Sequence, residues 1–511
     1  MSTGQVTLAQ ERPKSETKGA DALPRCHARA RSPSIGFSAS TGRLGGAAPG
    51  GCRGEDAVWR SSARVSWKRE SRWGSLPCVV PRTSLTTRTT CRICGSPELV
   101  SVLSLGEQYI AGAFAEPGGE QPVSRRIPLE LVRCDMTRNE EGCGLVQLRH
   151  TVPGAILYGS YWYRSGVNQT MTRNLHEIAA QAEEMVELHP GDLVIDIGCN
   201  DGTLLDGYRT PSLKYLGFDP SDVSRYAVHK GYDVVRDFYS FEQLRERYVD
   251  RKARIITSIA MFYDLEYPCE FVTEVARALA DNGVWVIELH YLPSMLDMNQ
   301  FDAIVHEHLE YYSLAVLERL LREAGLRVVR AELNGINGGS VRLFIRRATH
   351  FSPSDEDAEL LQRLRVREFE MALDAPAPYE RFARAAEQVR DGLAATCHRL
   401  VEEGKTIHVY GASTKGNTIL QYAGIDRTLV PYAADRNPDK HGSETIGTGI
   451  PIISEESSRE MRPDYYLVLP WHFLDEFLDR EREFLDRGGQ FIVPMPEVAI
   501  VPGMAHQPLA A

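Results

Sequence analysis

Between residues 191 and 346, short apolar runs alternate with amphipathic stretches. The runs are LVIDIG at 193–198, YLGFD at 215–219, IITSIAMF at 255–262, VWVIELH at 284–290 and VRLFI at 341–345. Strands alternating with helical stretches predict a doubly wound parallel sheet of the α/β class. A tyrosine-rich loop, LYGSYWYRSG at 157–166, precedes this region and leads into a predicted helix over 171–188. Residues 353–403 are charged and read as helical, which suits a connector. The strand–turn–helix pattern then restarts with TIHVYGASTKGNTIL at 406–420, followed by apolar runs at 429–435, 464–470 and 490–494. This predicts a second, smaller Rossmann-like α/β domain. Residues 1–88 show no sustained periodicity and read as a disordered basic tail, rich in Arg, Ser, Gly and Ala. The expected division is therefore 1–88, a small cysteine-containing module at 89–150, a central domain at 151–350, a connector at 351–404 and a C-terminal domain at 405–511.

The first strand carries candidate chemistry. It ends in Asp196-Ile-Gly198-Cys-Asn200-Asp201-Gly202, a glycine turn expected to open a helix. Gly198 and Gly202 allow close approach of a ligand to the backbone. A dinucleotide site would prefer GxGxxG here, but one glycine of that pattern is absent and an acid stands in the turn. Acidic residues suit a ligand with a cationic sulfonium and an ammonium. Asp219 closes the next strand 21 residues after Gly198, where a carboxylate accepts ribose hydroxyls. Asp237, one element further on, is positioned to face an adenine. The cofactor predicted from these residues is S-adenosylmethionine (SAM); the alternative is a generic α/β turn.

Composition narrows the partners. The chain has 511 residues, 43% of them hydrophobic, which is too long for a single core. No apolar run approaches the ~18–20 residues needed to span a bilayer, and no export pattern opens the sequence, so a cytoplasmic enzyme without a membrane partner is expected. Residues 1–88 hold 15 Lys and Arg against 6 Asp and Glu, a balance of +9. With the whole chain at −11, the remainder carries −20, a poor general binder of nucleic acid. We expect a monomer acting on a small molecule.

Ten cysteines in a reducing compartment direct attention to metal. Cys91 and Cys94 form a C-x2-C knuckle, and Cys134 and Cys143 form a C-x8-C pair with a polar loop, DMTRNEEG, between them. Four thiolates in two pairs suit a closed, structural Zn²⁺ site; the alternative is a set of bystander thiols. Another cluster, His306-Glu307-His308, follows the strand VWVIELH after a loop and so falls near the carboxyl edge of the sheet, where ligands of such folds bind. It reads equally as a catalytic or a structural pair. In the last domain, Lys415 lies in a strand-to-helix turn and is available for a phosphate, unless that turn is empty.

Seven segments together carry a family resemblance: CRICG at 91–95, CGLVQL at 143–148, VIDIGCNDGTLL at 194–205, HEHLEYYS at 306–313, NGGSVRLFI at 337–345, VYGASTKGNTIL at 409–420 and DRNPDKHG at 435–442. From about Cys91 to Val501 the chain resembles the NDP-sugar C-methyltransferases of deoxysugar pathways. The resemblance implies a zinc module, a central SAM-binding Rossmann-like domain and a C-terminal domain that helps hold a nucleotide sugar. It implies that His308 is the general base, beside the acidic Glu307. His308 would remove the proton alpha to a ketone, giving an enolate that takes the methyl group. Tyr158, Tyr161, Tyr163, Asn337 and Gly338 become candidates for holding the sugar. Two positions depart from the family pattern: Val305 replaces a tyrosine found in some members, and Asn337 replaces a histidine found in many. The rival expectations are an O- or N-methyltransferase of the same plan and an idle, zinc-stabilised binding protein.

Overall fold

The computed structural model describes residues 85–112, 114–115, 125–158 and 163–502. The expectation of disorder for 1–84, and the candidate Tyr161, lie outside the described residues. Order begins earlier than Cys91. Thr86–Thr87 pairs antiparallel with His150–Thr151, and Arg88 bonds Glu266 at 2.8 Å.

The N-terminal module is a small antiparallel sheet built from β1 (Leu99–Gln108), β2 (Ile127–Cys134) and β3 (Val146–Leu148). The first long helix, α1 (Gln169–Glu184), starts before the expected Met171 because the Asn168 side chain accepts from the Thr170 and Met171 amides. The central strands are β4 (Leu193–Ile197), β5 (Lys214–Phe218), β6 (Asp233–Val235), β7 (Ala253–Ile259) and β8 (Leu279–His290). A short β9 (Glu310–Tyr311) returns to the N-terminal sheet beside β3. Then come α2 (Leu314–Glu323), β10 (Leu326–Asn334) and β11 (Ser340–Arg347).

The central sheet has the order β10-β11-β8-β7-β4-β5-β6. Strand β11 pairs antiparallel with both neighbours, so the sheet is mixed, not purely parallel as the alternation predicts. The reason is a tight return. Residues 336–338 turn directly from β10 into β11, too short a connection for a parallel crossover. A second departure follows β4. No α-helix opens there; a three-residue 3₁₀ turn, Leu205–Gly207, takes its place. Gly202 is left-handed at φ +77°, which ends any helical run. A Cβ on Gly207 would lie 2.9 Å from the His176 backbone, so α1 packs straight onto the turn.

The connector is α3 (Asp355–Glu370) and α4 (Ala377–Glu402). The C-terminal sheet contains β12 (Ile407–Tyr410), β13 (Ala433–Asp435), β14 (Ile452–Ser454), β15 (Tyr465–Val468), β16 (Gln490–Val493) and β17 (Ala499–Pro502), in the order β14-β13-β12-β15-β16-β17. Helix α5 (Thr414–Ala423) follows β12, capped by Ser413, whose side chain accepts from the Gly416 amide. Among the described residues no helix is long and apolar enough to cross a membrane.

Two apolar cores lock these parts together. One joins Leu103, Leu131 and Leu148 of the N-terminal sheet to Phe382 and Leu393 of α4 and to Tyr410 and Val468 of the C-terminal sheet. The other joins Cys91, Cys134, Cys143 and Leu145 to Ile195, Leu216, Trp285 and Leu343 of the central sheet. The cysteine module is therefore wedged between the two α/β sheets, and a cleft forms where their strand ends face each other.

Candidate active site

A cavity of about 420 Å³ opens at the carboxyl end of the central strands. Its walls include the ends of β4 and β5, then Val305, Glu307 and His308, and from the C-terminal region residues 413–415 with Pro470, His472 and Phe473.

The glycine turn builds one end. Gly198 has φ +79°, and a Cβ there would press on Met261 at 3.0 Å, so the backbone itself forms the wall. Asp196 and Asp219 are both buried and both line the cavity. Thr257 Oγ1 donates to Asp196 at 2.6 Å. Burial, with Asp219 nearby, raises the Asp196 carboxyl to about 7. Asp219 accepts from the Ser221 amide and hydroxyl on Oδ1 and from the Asn200 amide on Oδ2. That leaves one acceptor position, on Oδ2, for a ligand hydroxyl. Asn200 also lines the cavity and ties down the tyrosine loop: its Nδ2 donates to Tyr163 O and its Oδ1 accepts from the Ser165 amide. Asp237 lines the cavity and accepts from the Phe238 amide and Gln243 Nε2. Asp201 and Gly202 do not line it. Asp201 is turned away, accepting from the Gly166 amide and from Thr203, so it does not meet a ligand phosphate or ammonium. Gly202 backs onto Ala227 and Tyr232. The donor set fits SAM: paired buried carboxyls for a cationic ligand, and no long helix start to cradle a pyrophosphate.

The His-Glu-His segment divides its side chains. His306 turns away from the cavity, and its Nε2 donates to the Ile127 carbonyl at 3.2 Å. Burial lowers it to about 4. His308 lines the cavity. Its Nδ1 lies 2.9 Å from the Ala303 carbonyl, which can only accept. That contact fixes the proton on Nδ1 and leaves the Nε2 lone pair free of it. Burial first, and the Lys415 charge second, lower His308 to about 3, so it is neutral near pH 7. Glu307 is buried on the cavity wall, where Oε1 accepts from the Gly112 amide and Oε2 has no partner. Burial raises it to about 7.

Among the cavity residues that the motifs did not single out, three rings stand at the end that holds His308. His290 ends β8, with its ring 5.8 Å from that of His308 and its Nδ1 without a partner. The Tyr263 ring lies 4.3 Å from the His308 ring. His472 comes from the C-terminal region. His290 was legible as the polar end of an apolar strand. His472 carries no local signal, because only domain packing brings it here.

Of the candidates for holding a sugar, Tyr158, Tyr163, Asn337 and Lys415 line the cavity. Lys415 Nζ donates to the Asn337 carbonyl at 2.9 Å. Gly338 stands behind the wall, its carbonyl bonded by Gln300 Nε2, so it does not line the cavity.

The four cysteines converge elsewhere. All four sulfurs lie within 4.8 Å of one another, with Cys91–Cys143 at 3.4 Å and Cys94–Cys134 at 3.5 Å. Tetrahedral zinc at ~2.3 Å from each sulfur separates the sulfurs by ~3.8 Å, so the cluster fits the metal. Arg92, between the knuckle cysteines, is buried and donates to Gln147, Leu148 O and Thr151, pinning the knuckle to the sheet. None of the four lines the cavity, which suits a structural ion.

Comparison with known proteins follows the same divisions. A zinc binding domain matches residues 91–158, a methyltransferase domain 163–331 and a C-methyltransferase C-terminal domain 335–496. Among solved structures, a methyltransferase in complex with the Trm112 activator of Haloferax volcanii aligns with TM-score 0.30 and 19% identity, over 37% of this chain and 95% of that one. Magnesium protoporphyrin IX methyltransferase of Synechocystis PCC 6803, with bound SAM, aligns with TM-score 0.26 and 14% identity, over 35% and 79%. The sequence match is far more extensive. C-methyltransferase NovU of Streptomyces niveus is 30% identical over 417 residues, covering 80% of this chain and 96% of NovU. The chain belongs to this family of three-part, SAM-dependent C-methyltransferases.

Proposed function

We propose that this enzyme methylates a carbon alpha to the ketone of a nucleotide-activated deoxysugar, with His308 as the general base. One observation carries the reading: of the two histidines in the motif, the one on the cavity wall is held neutral with its proton on Nδ1. Nε2 is then a base, ready to accept a proton from substrate. Asp196, Gly198, Asn200, Asp219 and Asp237 hold SAM, which supplies an electrophilic methyl group. Tyr158, Tyr163, Asn337 and Lys415 face the sugar nucleotide. The Ala303 carbonyl and the Tyr263 ring keep the imidazole in place, and Glu307 stands beside it on the cavity wall. Cys91, Cys94, Cys134 and Cys143 hold zinc. A small-molecule substrate also suits the cavity volume of about 420 Å³.

The proton removed is weakly acidic, so the base must be placed and the enolate oxygen stabilised. The test needs no SAM. The enzyme is incubated in D₂O with a nucleoside diphosphate 4-keto-6-deoxyhexose, and deuterium entering the alpha carbon is followed by NMR. Exchange that depends on enzyme supports the reading. Methyl transfer to an oxygen or nitrogen acceptor without any such exchange would overturn it.

A further inference from the structure

The cavity contains one Lys or Arg among its described lining residues, Lys415. It sits at the start of α5, where helical N–H groups add partial positive charge. An ammonium has three donors, and the Asn337 carbonyl takes one. A Cβ placed on Gly112 would meet both Glu307 and, at 3.9 Å, Thr414, the chain neighbours of His308 and Lys415, so Lys415 shares its end of the cavity with the proposed base. After burial, its charge is the largest influence lowering each of His290, His308 and His472. His290, buried and on the same wall, has an Nδ1 with no partner, which points to a ligand atom at this place. Two acids, Asp264 and Glu307, also line the cavity, each with an unpartnered oxygen. A pyrophosphate, with two or more negative charges, would meet a single cation here. A single developing oxyanion needs one donor close to the base, and Lys415 supplies that.

We propose that Lys415 is a catalytic residue, donating to the ketone oxygen of the sugar. This rests on the function proposed above and assigns the substrate atom that Lys415 touches. As His308 Nε2 takes the alpha proton, the C–H electron pair forms the C=C bond and the carbonyl π pair moves to oxygen. Lys415 holds that oxygen until methyl transfer restores the ketone. The C-terminal domain thus contributes to the chemistry as well as to binding. Its lysine enters at the same edge where the central sheet presents the base, so the two halves of the enolisation come from different domains.

The experiment compares wild type, Lys415→Met, Lys415→Arg and His308→Ala. The probe is a nucleoside diphosphate 4-keto-6-deoxyhexose, with thymidine or uridine as the nucleoside. Alpha-carbon deuterium exchange at saturating sugar nucleotide is measured without SAM, together with sugar-nucleotide and SAM affinity. Removing one oxyanion donor typically costs about 10²–10³-fold. Lys415→Met should lose exchange by that factor, with sugar-nucleotide affinity changed less than about threefold and SAM affinity unchanged, which also reports folding. Lys415→Arg should recover part of the exchange. Sugar-nucleotide affinity weakened by tenfold or more with exchange intact would mean that Lys415 grips phosphate, and would overturn the proposal. No change in either would overturn it as well. If His308→Ala abolishes exchange and Lys415→Met does not, only the present proposal falls. Absence of exchange in the wild type would remove the underlying function, and this proposal with it.

Discussion

Identical side chains two positions apart have opposite surroundings. His306 is consumed by the Ile127 carbonyl, whereas His308 stands on the cavity wall with Nε2 as its basic nitrogen. His308→Ala should therefore lower turnover by about 10²–10⁴-fold while SAM affinity stays nearly unchanged. His306→Ala leaves a buried carbonyl without its donor, so its cost should appear as a lower melting temperature and a smaller loss of turnover. Equal losses in turnover for the two variants, with equal stability, would contradict the assignment. Asp196 gives a second test. Its carboxyl titrates at about 7 in the free protein, and a cationic ligand prefers the ionised form. Below pH 7 binding must expel a proton, so the SAM affinity of wild type should fall as pH drops, by up to tenfold per unit. Asp196→Asn cannot titrate there, so the difference between the two curves isolates this group. Parallel curves from pH 8 to pH 5.5 would rule Asp196 out.

At the level of elements, the cysteine cluster ties a knuckle to the end of β2 and to the loop after it. Cys91, Cys134 and Cys143 are also core residues of the central sheet. Elemental analysis should find one zinc per chain. Cys94→Ser should lose metal and melt earlier, with less effect on turnover at low temperature than on stability, because a closed ligand set has no open position for substrate. Folded, active protein free of metal would refute the site. The neighbouring sheet should be equally sensitive: Leu131→Ala removes a buried side chain from the core that joins the module to the C-terminal region, at a cost of about 2–5 kcal/mol. Short-range pattern predicted these elements well, since an apolar run and a C-x2-C spacing are local. The missing helix after β4 was not legible. Its cause is a left-handed Gly202 together with the packing of α1 against Gly207, and neither shows in the hydrophobic pattern.

For the whole molecule, the N-terminal boundary is the sharpest question. Thr86 and Thr87 pair with His150–Thr151, and Arg88 reaches Glu266. A chain starting at residue 85 should keep full turnover and melting temperature. One starting at 91 should melt earlier, since it loses that pairing and an ion pair with both side chains largely covered. Scanning calorimetry of the two truncations decides this; loss of activity in the longer one would show a role for residues 1–84. By itself the sequence determined the α/β class, most strands, the four cysteines and the carboxylates at the ends of β4 and β5, because each is a local pattern of period, spacing or position after an apolar run. It also favoured His308, through resemblance to a family. The tertiary structure alone decided that β11 runs against its neighbours, that Asp201 and His306 face away from the cavity, and that His290, His308, Lys415 and His472 gather at one end of it. Those outcomes depend on which way a side chain leaves the backbone and on how two sheets approach each other. Both are fixed by contacts between residues far apart in the chain, which no local pattern records.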